Sequence, residues 1–240
     1  MLLEEFINLS NNVTSVDELF ELMQLALQAI GINQIVFSLM TNHVALNKPA
    51  GHGLLFNYPE DWMKYYAEQG YETLDPVRHA MFAATGPFAW DNLLDKLVLT
   101  KRQKTFFGEA ADAGLRIGFG IPLRGPRGAL AGFGLASNTR DLNFDQNALS
   151  YMNLVAQQFY QVYHSLESVA HDDNVVYLSD REREILQWSA NGKSREDIGT
   201  ILGITKNTVD FHLRNIYRKF DTNNITVAVL TALHNGLIQQ

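Results

Sequence analysis

At 240 residues, with 46% hydrophobic and 11% aromatic residues, the chain is long enough for two packed domains and too apolar for a disordered protein. It contains no cysteine, which excludes disulfides and thiolate catalysis, and its apolar runs are far shorter than the ~18 residues that a membrane span requires. Its net charge is −7, and its N-terminus carries acid where a signal peptide carries positive charge, so we expect a cytoplasmic protein with no membrane partner.

The first part of the chain alternates helical and strand patterns. Ser15 and Glu18 have the spacing of a capping box, which predicts the start of a helix that Gly31 ends. Proline is well tolerated at the first position of a helix, so Pro59 predicts another helix start. In chain order, the predicted elements are a helix from Ser15 to Gly31, strands at 33–41 and 52–57, a helix from Pro59, and a helix from Asp75 to about Ala84.

The next elements complete a first domain over residues 1–170. They are a helix from Thr100 to Ala113, glycine-rich strands at 116–123 and 129–137 joined by a hairpin turn, and a helix from Asp145 to about Val169. Helices flanking a few antiparallel strands favour an α/β/α sandwich around an antiparallel sheet. The last helix has an apolar stripe that we expect to cover the sheet in part and that is also a candidate dimer contact: Leu149, Met152, Val155, Phe159, Val162 and Leu166.

A polar linker at 171–177 leads to an all-α domain at 178–240, so the whole chain is predicted to be of the α+β class. A capping box of Ser179 and Glu182 marks the start of this domain. The domain then has a helix capped by Ser194 and running to Leu202, a break at Gly203, and a helix from Thr205 to about Lys219. This is the pattern of a helix-turn-helix that binds DNA.

The second helix of this motif separates apolar from polar residues. Val209, Leu213, Ile216 and Phe220 recur every three or four residues and should pack inward. Residues 176–240 carry 8 Lys and Arg against 7 Asp and Glu, a net +1, whereas residues 1–175 carry 11 against 19, a net −8. One copy should therefore bind DNA weakly, and two copies on a two-fold site would compensate. The candidate DNA-binding residues are Lys193, Ser194, Lys206, Asn207, Thr208, Asp210, His212, Arg214 and Arg218.

Two residues of this polar face have distinct expected roles. Arg214 is the candidate for reading a base, with the O6 and N7 atoms of guanine as the expected partners. Asp210 can accept from cytosine N4 but repels phosphate, so it either reads a base or lies at the edge of the groove with little effect.

The C-terminal domain carries a run of residues typical of one family. The run passes through Ser179-Asp-Arg-Glu182, Gly192-Lys193, Thr208-Val209, Phe211-His212, Asn215-Ile216 and Gly236-Leu-Ile238. Over about 60 residues this segment resembles the DNA-binding domain of LuxR-type quorum-sensing regulators. The resemblance implies a homodimer on an inverted-repeat site in double-stranded DNA, with RNA polymerase as a further partner. The same module is fused to several kinds of sensor, so the first domain decides the input.

In the first domain, Tyr58, Trp62 and Tyr66 are spaced four apart and would share one face of a helix. Together with Asp75-Pro76, Trp90 and Gly118, they resemble the N-acyl-homoserine-lactone-binding domain of the same family over residues 15–165. The resemblance implies a small-molecule autoinducer, no cofactor and no metal. The candidate ligand-binding residues are Tyr58, Trp62, Tyr66, Asp75, Pro76, Trp90, Gly118 and Gly134.

The resemblance also implies a role for each polar head-group residue. The Trp62 indole N–H would donate to the lactone carbonyl, Asp75 would accept from the amide N–H, and the Tyr58 hydroxyl would reach the amide carbonyl. Tyr66 and Trp90 would form aromatic walls. A buried polar group left unpaired costs about 1–3 kcal/mol, so a pocket that encloses such a head group must match it.

Two positions depart from the family pattern. Gly134 stands where many members have Ser or Thr, although an alignment shifted by two residues would put Ala136 there. Loss of the hydroxyl should make room and favour an unsubstituted, bulky or longer acyl chain. Ile225 stands where many members have Arg or Lys, and neutral hydrogen bonds from Asn223 and Asn224 would replace that phosphate contact.

Three alternative functions can be compared with this one. A phosphorelay response regulator needs an acidic pair and a phospho-accepting Asp at strand ends, a pattern that the chain lacks. A lactone-cleaving enzyme needs a metal cluster or an activated nucleophile, whereas the seven His are scattered without HxH or HxxxH spacing. An orphan receptor for a different or exogenous small molecule stays open, because its head-group residues would be the same. The sequence does not decide whether the ligand promotes or releases DNA binding.

Overall fold

The computed structural model of the chain describes residues 1–138, 145–168 and 176–239. The contacts divide the chain into two compact units, Met1–Ala170 and His171–Gln240. The predicted linker at 171–177 lies outside the described residues except for its last two positions, and the predicted helix end near Val169 lies outside them too. In the described ranges, no helix is long and apolar enough to cross a membrane.

The N-terminal unit is built on an antiparallel sheet in the strand order β2-β1-β5-β4-β3. Helices pack on both faces of this sheet, so the predicted α/β/α sandwich is confirmed. The strands are β1 Gln34–Leu39, β2 Gly51–Phe56, β3 Phe88–Ala89, β4 Ile117–Arg124 and β5 Leu130–Ser137. The helices are α1 Leu3–Ser10, α2 Val16–Gln28, α3 Glu60–Glu68, α4 Pro76–Ala83, α5 Trp90–Leu94, α6 Lys101–Asp112 and α7 Gln146–Glu167.

Helices α1, α2 and α7 cover one face of the sheet and bury an aromatic cluster. Phe159 of α7 packs edge-on against Phe37 of β1 and Phe133 of β5, with ring centroids 5.4 and 5.0 Å apart. The four central residues of the predicted α7 stripe are buried in this core, and Leu149 and Leu166 at its ends pack against it. The stripe therefore covers the unit's own sheet, and a dimer contact through α7 stays a prediction.

Some helix starts differ in detail from the prediction. Ser15 accepts from the Glu18 N–H, but the Glu18 carboxylate accepts from the Thr14 N–H at 2.8 Å instead of from Ser15, so the capping box is displaced by one residue. Pro59 occupies the N-cap position before α3 rather than the first helical position. The sequence did not predict α1, β3 and α5, whose lengths are eight, two and five residues, because short segments show too little periodicity.

The described part of the C-terminal unit is all-α, with helices α8 Asp180–Ala190, α9 Arg195–Leu202, α10 Lys206–Lys219 and α11 Ile225–His234. The capping box at Ser179 is complete, and Ser194 and Thr205 cap α9 and α10 as predicted. Gly203 ends α9 with a φ of 66°, a left-handed conformation that glycine adopts without steric cost. On α10, Val209, Leu213 and Ile216 are buried and Phe220 packs against the same core. The predicted helix-turn-helix is therefore confirmed.

Candidate functional site

The second face of the sheet borders a cavity, which lies between the sheet and helices α3, α4 and α6. Small-molecule pockets are lined mainly by apolar and aromatic side chains with a few polar groups. This cavity has that lining, so it is the candidate ligand pocket. The predicted ligand-binding residues that line it are Tyr58, Trp62, Tyr66, Asp75, Trp90 and Gly134.

The pocket-side face of β4 and β5 carries glycine at alternate positions, which leaves the strand backbone uncovered by its own side chains. A Cβ atom at Gly118 would overlap the Trp90 ring, and one at Gly132 would overlap the sulfur of Met81. Side chains of α4 and α5 therefore lie directly on the strands, a close approach that glycine permits. Gly118 is covered by Trp90 and does not line the cavity, and Pro76, the first residue of α4, does not line it either.

Gly134 lines the pocket, but the space above it is already filled. A Cβ atom there would lie 2.8 Å from Cγ1 of Val36 and 3.1 Å from the hydroxyl oxygen of Tyr58. The expectation that Gly134 makes room for a larger ligand is therefore wrong, because Val36 and Tyr58 take up that room. Ala136, the other candidate for this position, is buried on the same side of β5 and pairs with Gly118 of β4.

Two polar atoms of the pocket are buried without a hydrogen-bond partner among the described residues: the Tyr58 hydroxyl and the Trp90 indole N–H. Burial raises the pKa of Tyr58, so its hydroxyl stays protonated and can donate. Because a buried unpaired polar group costs about 1–3 kcal/mol, both atoms favour a partner with an acceptor oxygen.

The Asp75 carboxylate is held at the start of α4. Its Oδ1 atom accepts from the Val77 N–H at 2.8 Å, and its Oδ2 atom accepts from the Tyr66 hydroxyl at 3.1 Å. Burial raises the pKa of Asp75, and the hydrogen bonds from Val77 and Tyr66 oppose that effect. A carboxylate offers more lone pairs than the hydrogen bonds from Val77, Tyr66 and the Arg78 backbone use, so the fixed group can still accept from a ligand N–H.

A polar cluster of Ser38, His52 and Arg78 also lines the pocket, and the sequence did not predict it. His52 Nδ1 lies 3.0 Å from Ser38 Oγ and 3.1 Å from Arg78 Nη1, while Arg78 Nη2 pairs with Glu72 at 2.8 Å. Burial and the neighbouring guanidinium lower the pKa of His52 to about 3, so the ring is neutral. Because a guanidinium can only donate, Nδ1 is the acceptor and the ring hydrogen is on Nε2. The ring stacks on Tyr66 at 4.5 Å between centroids. Nothing in the sequence relates these three positions, because they come from β1, β2 and α4.

The residues predicted to contact DNA lie on the polar face of α10 and around the start of α9. Lys193, Ser194, Lys206, Asn207, Arg214 and Arg218 are exposed, whereas Thr208, Asp210 and His212 are half-buried. The Ser194 hydroxyl caps α9, and the Thr208 hydroxyl bonds to that of Thr205. The remaining exposed groups form the surface that the helix-turn-helix offers to a partner.

Two basic side chains of this surface are paired with carboxylates. Arg195, which the sequence did not single out, donates to Asp210 Oδ1 at 2.8 Å, and Lys206 pairs with Glu196. The second pair raises the pKa of Lys206 and lowers that of Glu196. Since phosphate binding depends on positive charge that is free to act, the surface attracts DNA less than its number of cations would imply.

The residues at the start of α11 cap that helix and anchor it to the core of the unit. Asn224 caps α11 by accepting from the Thr226 N–H at 2.8 Å, and Ile225 packs against the core of the unit. The cap occupies the Asn224 side-chain oxygen, and the contact of the Asn223 and Asn224 side-chain amides with phosphate stays a prediction. Asn223 is exposed.

Comparisons with known proteins agree with both parts of the chain. The model of the autoinducer binding domain matches residues 15–163, and the model of bacterial regulatory proteins, luxR family, matches residues 176–232. The chain is 33% identical over 236 residues to the transcriptional activator protein AnoR of Acinetobacter nosocomialis, with 94% of each chain covered. It is 34% identical over 184 residues to the quorum-sensing regulator RhlR of Pseudomonas aeruginosa, with 75% of this chain and 74% of that protein covered.

The fold has a solved counterpart of similar length. The crystal structure of Escherichia coli SdiA matches with a TM-score of 0.69 and 25% identity, covering 99% of this chain and 98% of that one. The autoinducer model occupies the region where a response regulator would have its phosphorylated domain, so the phosphorelay alternative is wrong. The chain belongs to the luxR family of bacterial regulatory proteins, and it is a transcriptional regulator with an autoinducer-binding domain and a helix-turn-helix DNA-binding domain rather than an enzyme.

Proposed function

We propose that this regulator binds an N-acyl-homoserine lactone in its N-terminal pocket and, as a cytoplasmic homodimer, an inverted-repeat DNA site through its C-terminal domain. The main support for this ligand class is the buried, unpartnered Tyr58 hydroxyl, which lies in the same pocket as the Asp75 carboxylate and the Trp62 indole. A lactone head group has an amide N–H and two carbonyl oxygens. These three side chains supply one acceptor and two donors, which is the complementary set.

In the proposed complex, Asp75 accepts from the amide N–H, Tyr58 donates to the amide carbonyl, and Trp62 donates to the lactone carbonyl. Phe106 lies 6.0 Å from Trp62 between ring centroids, which gives the lactone ring an aromatic neighbour at this end of the pocket. The acyl chain then extends past Tyr66 toward the rest of the cavity.

A thermal melt of the full chain against a panel of acyl-homoserine lactones tests the ligand class. If the ligand binds only the folded state, saturation at a hundred times Kd adds about 2.7 kcal/mol of stability. Asp75→Asn should weaken the response, because the amide N–H loses its anionic acceptor. Glu184→Gln, which removes an exposed carboxylate of α8, is the matched control and should leave the response intact. Folded protein that responds to no lactone would contradict the proposal and favour an orphan receptor for another small molecule.

Two features support the homodimer: the small net positive charge of a single C-terminal domain and an exposed apolar pair on helix α11. Val227 and Leu230 are 46% and 60% exposed, and their spacing of three residues places them on one face of α11. A second copy would cover this pair and would double the positive charge offered to DNA. Leu230→Ser should weaken self-association in analytical ultracentrifugation while the helix content is unchanged. An unchanged association constant would place the dimer contact elsewhere.

The DNA contact is tested on a duplex selected from a random pool for binding to the full chain. Arg214→Ala should cost roughly 1–3 kcal/mol of affinity for that duplex and leave the lactone response intact. Unchanged affinity would remove Arg214 from its proposed role in reading a base. The same titration with and without lactone determines whether the ligand promotes or releases DNA binding, and RNA polymerase is the proposed partner of the bound dimer.

A further inference from the structure

The connection between α5 and α6 concentrates positive charge in a unit that is otherwise acidic. Residues 96–104 carry four Lys and Arg and no Asp or Glu, whereas residues 1–175 as a whole have a net charge of −8. All four cations are exposed. Among the described residues, none of these side chains pairs with a carboxylate, and only Arg102 has an acceptor, the main-chain oxygen of Gln69 at 2.7 Å. The segment therefore offers positive charge that is free to act on a partner.

The position of these cations is unfavourable for α6 itself. Lys101, Arg102 and Lys104 are among the first four residues of that helix. The N-terminus of a helix carries positive partial charge, which favours acids and disfavours cations. Helix α3 follows this rule, with Glu60 and Asp61 in its first turn, whereas α6 has no acid there. The stability of α6 therefore does not explain this charge, and binding to an anionic partner does.

Apolar side chains are exposed between the same cations. Leu97 is 42% exposed and Val98 is 101% exposed. A single exposed apolar residue is common on protein surfaces, but here the two residues and Leu99 border a surface groove whose lining also includes Ala80, Ala83 and Leu93. An apolar surface with cations beside it results. This surface, the α5–α6 patch, is defined by Lys96, Leu97, Val98, Lys101, Arg102 and Lys104.

The chemistry of the α5–α6 patch matches the interface of a bilayer that contains anionic phospholipids. Lys and Arg are attracted to the negative headgroups, while apolar side chains between them can enter the boundary between headgroups and acyl chains. A side chain as exposed as Val98 touches almost nothing of its own fold, so it can insert without any rearrangement. An acidic protein segment would neutralise the same cations, but it would also need a cavity that encloses Val98.

We infer that the α5–α6 patch holds the receptor on the surface of an anionic phospholipid bilayer. Such a contact is peripheral and needs no spanning helix, so it replaces the expectation, drawn from the short apolar runs, that the protein has no membrane partner. Helices α5 and α6 also supply Trp90, Phe106 and Phe107 to the ligand pocket, so the contact brings the pocket-bearing helices to the membrane. If the proposed lactone function holds, the signal is enriched in the bilayer because its tail is apolar, and the receptor meets it there.

Co-sedimentation of the full chain with vesicles tests this inference and needs no lactone. We expect binding to vesicles of equal parts phosphatidylglycerol and phosphatidylcholine to exceed binding to phosphatidylcholine vesicles by at least about tenfold. A rise in salt from about 0.1 M to about 0.5 M should remove most of this difference, because salt screens the charges. Equal binding to both kinds of vesicle, or binding to neither, would overturn the inference and make an acidic protein the candidate partner. Failure of every lactone in the thermal melt would instead contradict the proposed function and leave vesicle binding standing.

A substitution at Val98 tests the apolar part of the contact. Val98→Asp should reduce binding to the anionic vesicles at least about tenfold, because it removes the inserting side chain and adds a negative charge. Val44→Asp is the matched control, since Val44 is 62% exposed and follows His43, which bonds to Tyr160 of α7 on the other face of the sheet. Equal losses in the two variants would show that only net charge matters, which would overturn the assignment to the α5–α6 patch.

Substitutions of single cations locate the charged part. Lys104→Gln should reduce binding about fivefold, the factor that one cation contributes near an anionic membrane surface. Arg116→Gln, which removes an exposed cation beyond the other end of α6, is the matched control and should change binding less. Lys206→Gln removes a cation of the DNA-binding surface instead. Binding that depends on Lys206 and not on Lys104 would assign the vesicles to that surface and overturn the inference.

Discussion

At the scale of single residues, Tyr58 and Tyr66 are a contrasting pair in one pocket. Burial raises the pKa of both hydroxyls, yet Tyr66 donates to Asp75 whereas Tyr58 has no partner among the described residues. A hydrogen bond to a charged group contributes about 1.5–3 kcal/mol, while a buried unpaired group costs about 1–3 kcal/mol. Loss of the hydroxyl should therefore have opposite effects on stability at the two positions.

We expect Tyr58→Phe to raise the free energy of unfolding without ligand by about 1 kcal/mol and to weaken lactone binding roughly tenfold. Tyr66→Phe should lower the free energy of unfolding by about 1–2 kcal/mol, because Asp75 loses a donor. Urea denaturation measures the free energy of unfolding, and calorimetry measures the affinity for the lactone. Equal destabilisation by both substitutions would mean that the Tyr58 hydroxyl has a partner in solution.

A second prediction at this scale concerns Gly118 of β4. Gly118→Ala should lower the free energy of unfolding by about 1–3 kcal/mol, since the added methyl group overlaps the Trp90 ring. Gly108→Ala in α6 is the matched control, because an added Cβ there meets nothing within 4 Å and alanine favours a helix by about 0.5–1 kcal/mol. Urea denaturation of both variants should give shifts of opposite sign. A Gly118→Ala variant as stable as the parent would show that Trp90 moves at no cost.

At the scale of elements, α9 and α10 carry both the cations that attract DNA and the carboxylates that form ion pairs with those cations. Arg195 of α9 is bound to Asp210 of α10, and Glu196 of α9 is bound to Lys206 of α10. The same pairs join the two helices and reduce the charge of their shared surface. Any phosphate that binds Arg195 or Lys206 must compete with a carboxylate.

Asp210→Asn should therefore increase affinity for duplex DNA of arbitrary sequence, because it removes one negative charge and frees Arg195. We also expect the slope of log affinity against log salt to become steeper by about 1. Glu184→Gln removes one negative charge from the same unit at an ion pair within α8, and it should change both quantities less. Fluorescence anisotropy across a salt series gives both values. Identical effects of the two substitutions would show that only net charge matters.

At the scale of the whole molecule, ligand binding and DNA binding are assigned to two units of different charge. Residues 1–175 carry a net −8 and residues 176–240 a net +1. A ligand stabilises the cooperative unit that contains its site, so its direct effect should stay within Met1–Ala170.

Hydrogen exchange followed by mass spectrometry checks this expectation with the lactone that gives the largest thermal shift. At a hundred times Kd, amides of the N-terminal unit that exchange by unfolding of that unit should be slowed by about 2.7 kcal/mol in free energy. Amides in α8 to α11 should exchange at unchanged rates when DNA is absent. Equal protection in both units would show that they unfold as one.

The sequence predicted local features well and long-range ones poorly. Trp62 and Tyr66 line the pocket from α3, as their helical spacing predicts, whereas Tyr58, predicted on the same helix face, lies before the helix begins. Ser38, His52 and Arg78 meet through the pairing of β1 with β2 and the packing of α4, which no local pattern encodes. The effect of Gly134 was misjudged for the same reason, since the atoms above it belong to distant residues.

The bare backbone of β4 and β5 also bears on how such a receptor changes over evolutionary time. Met81 and Trp90 belong to α4 and α5, yet they form the surface that lies on these strands. Replacement of either side chain reshapes the cavity without altering a main-chain hydrogen bond of the sheet. Substitutions in α4 and α5 can therefore change which signal the receptor prefers, while selection for folding acts on the sheet. New specificities can then arise without loss of a stable fold.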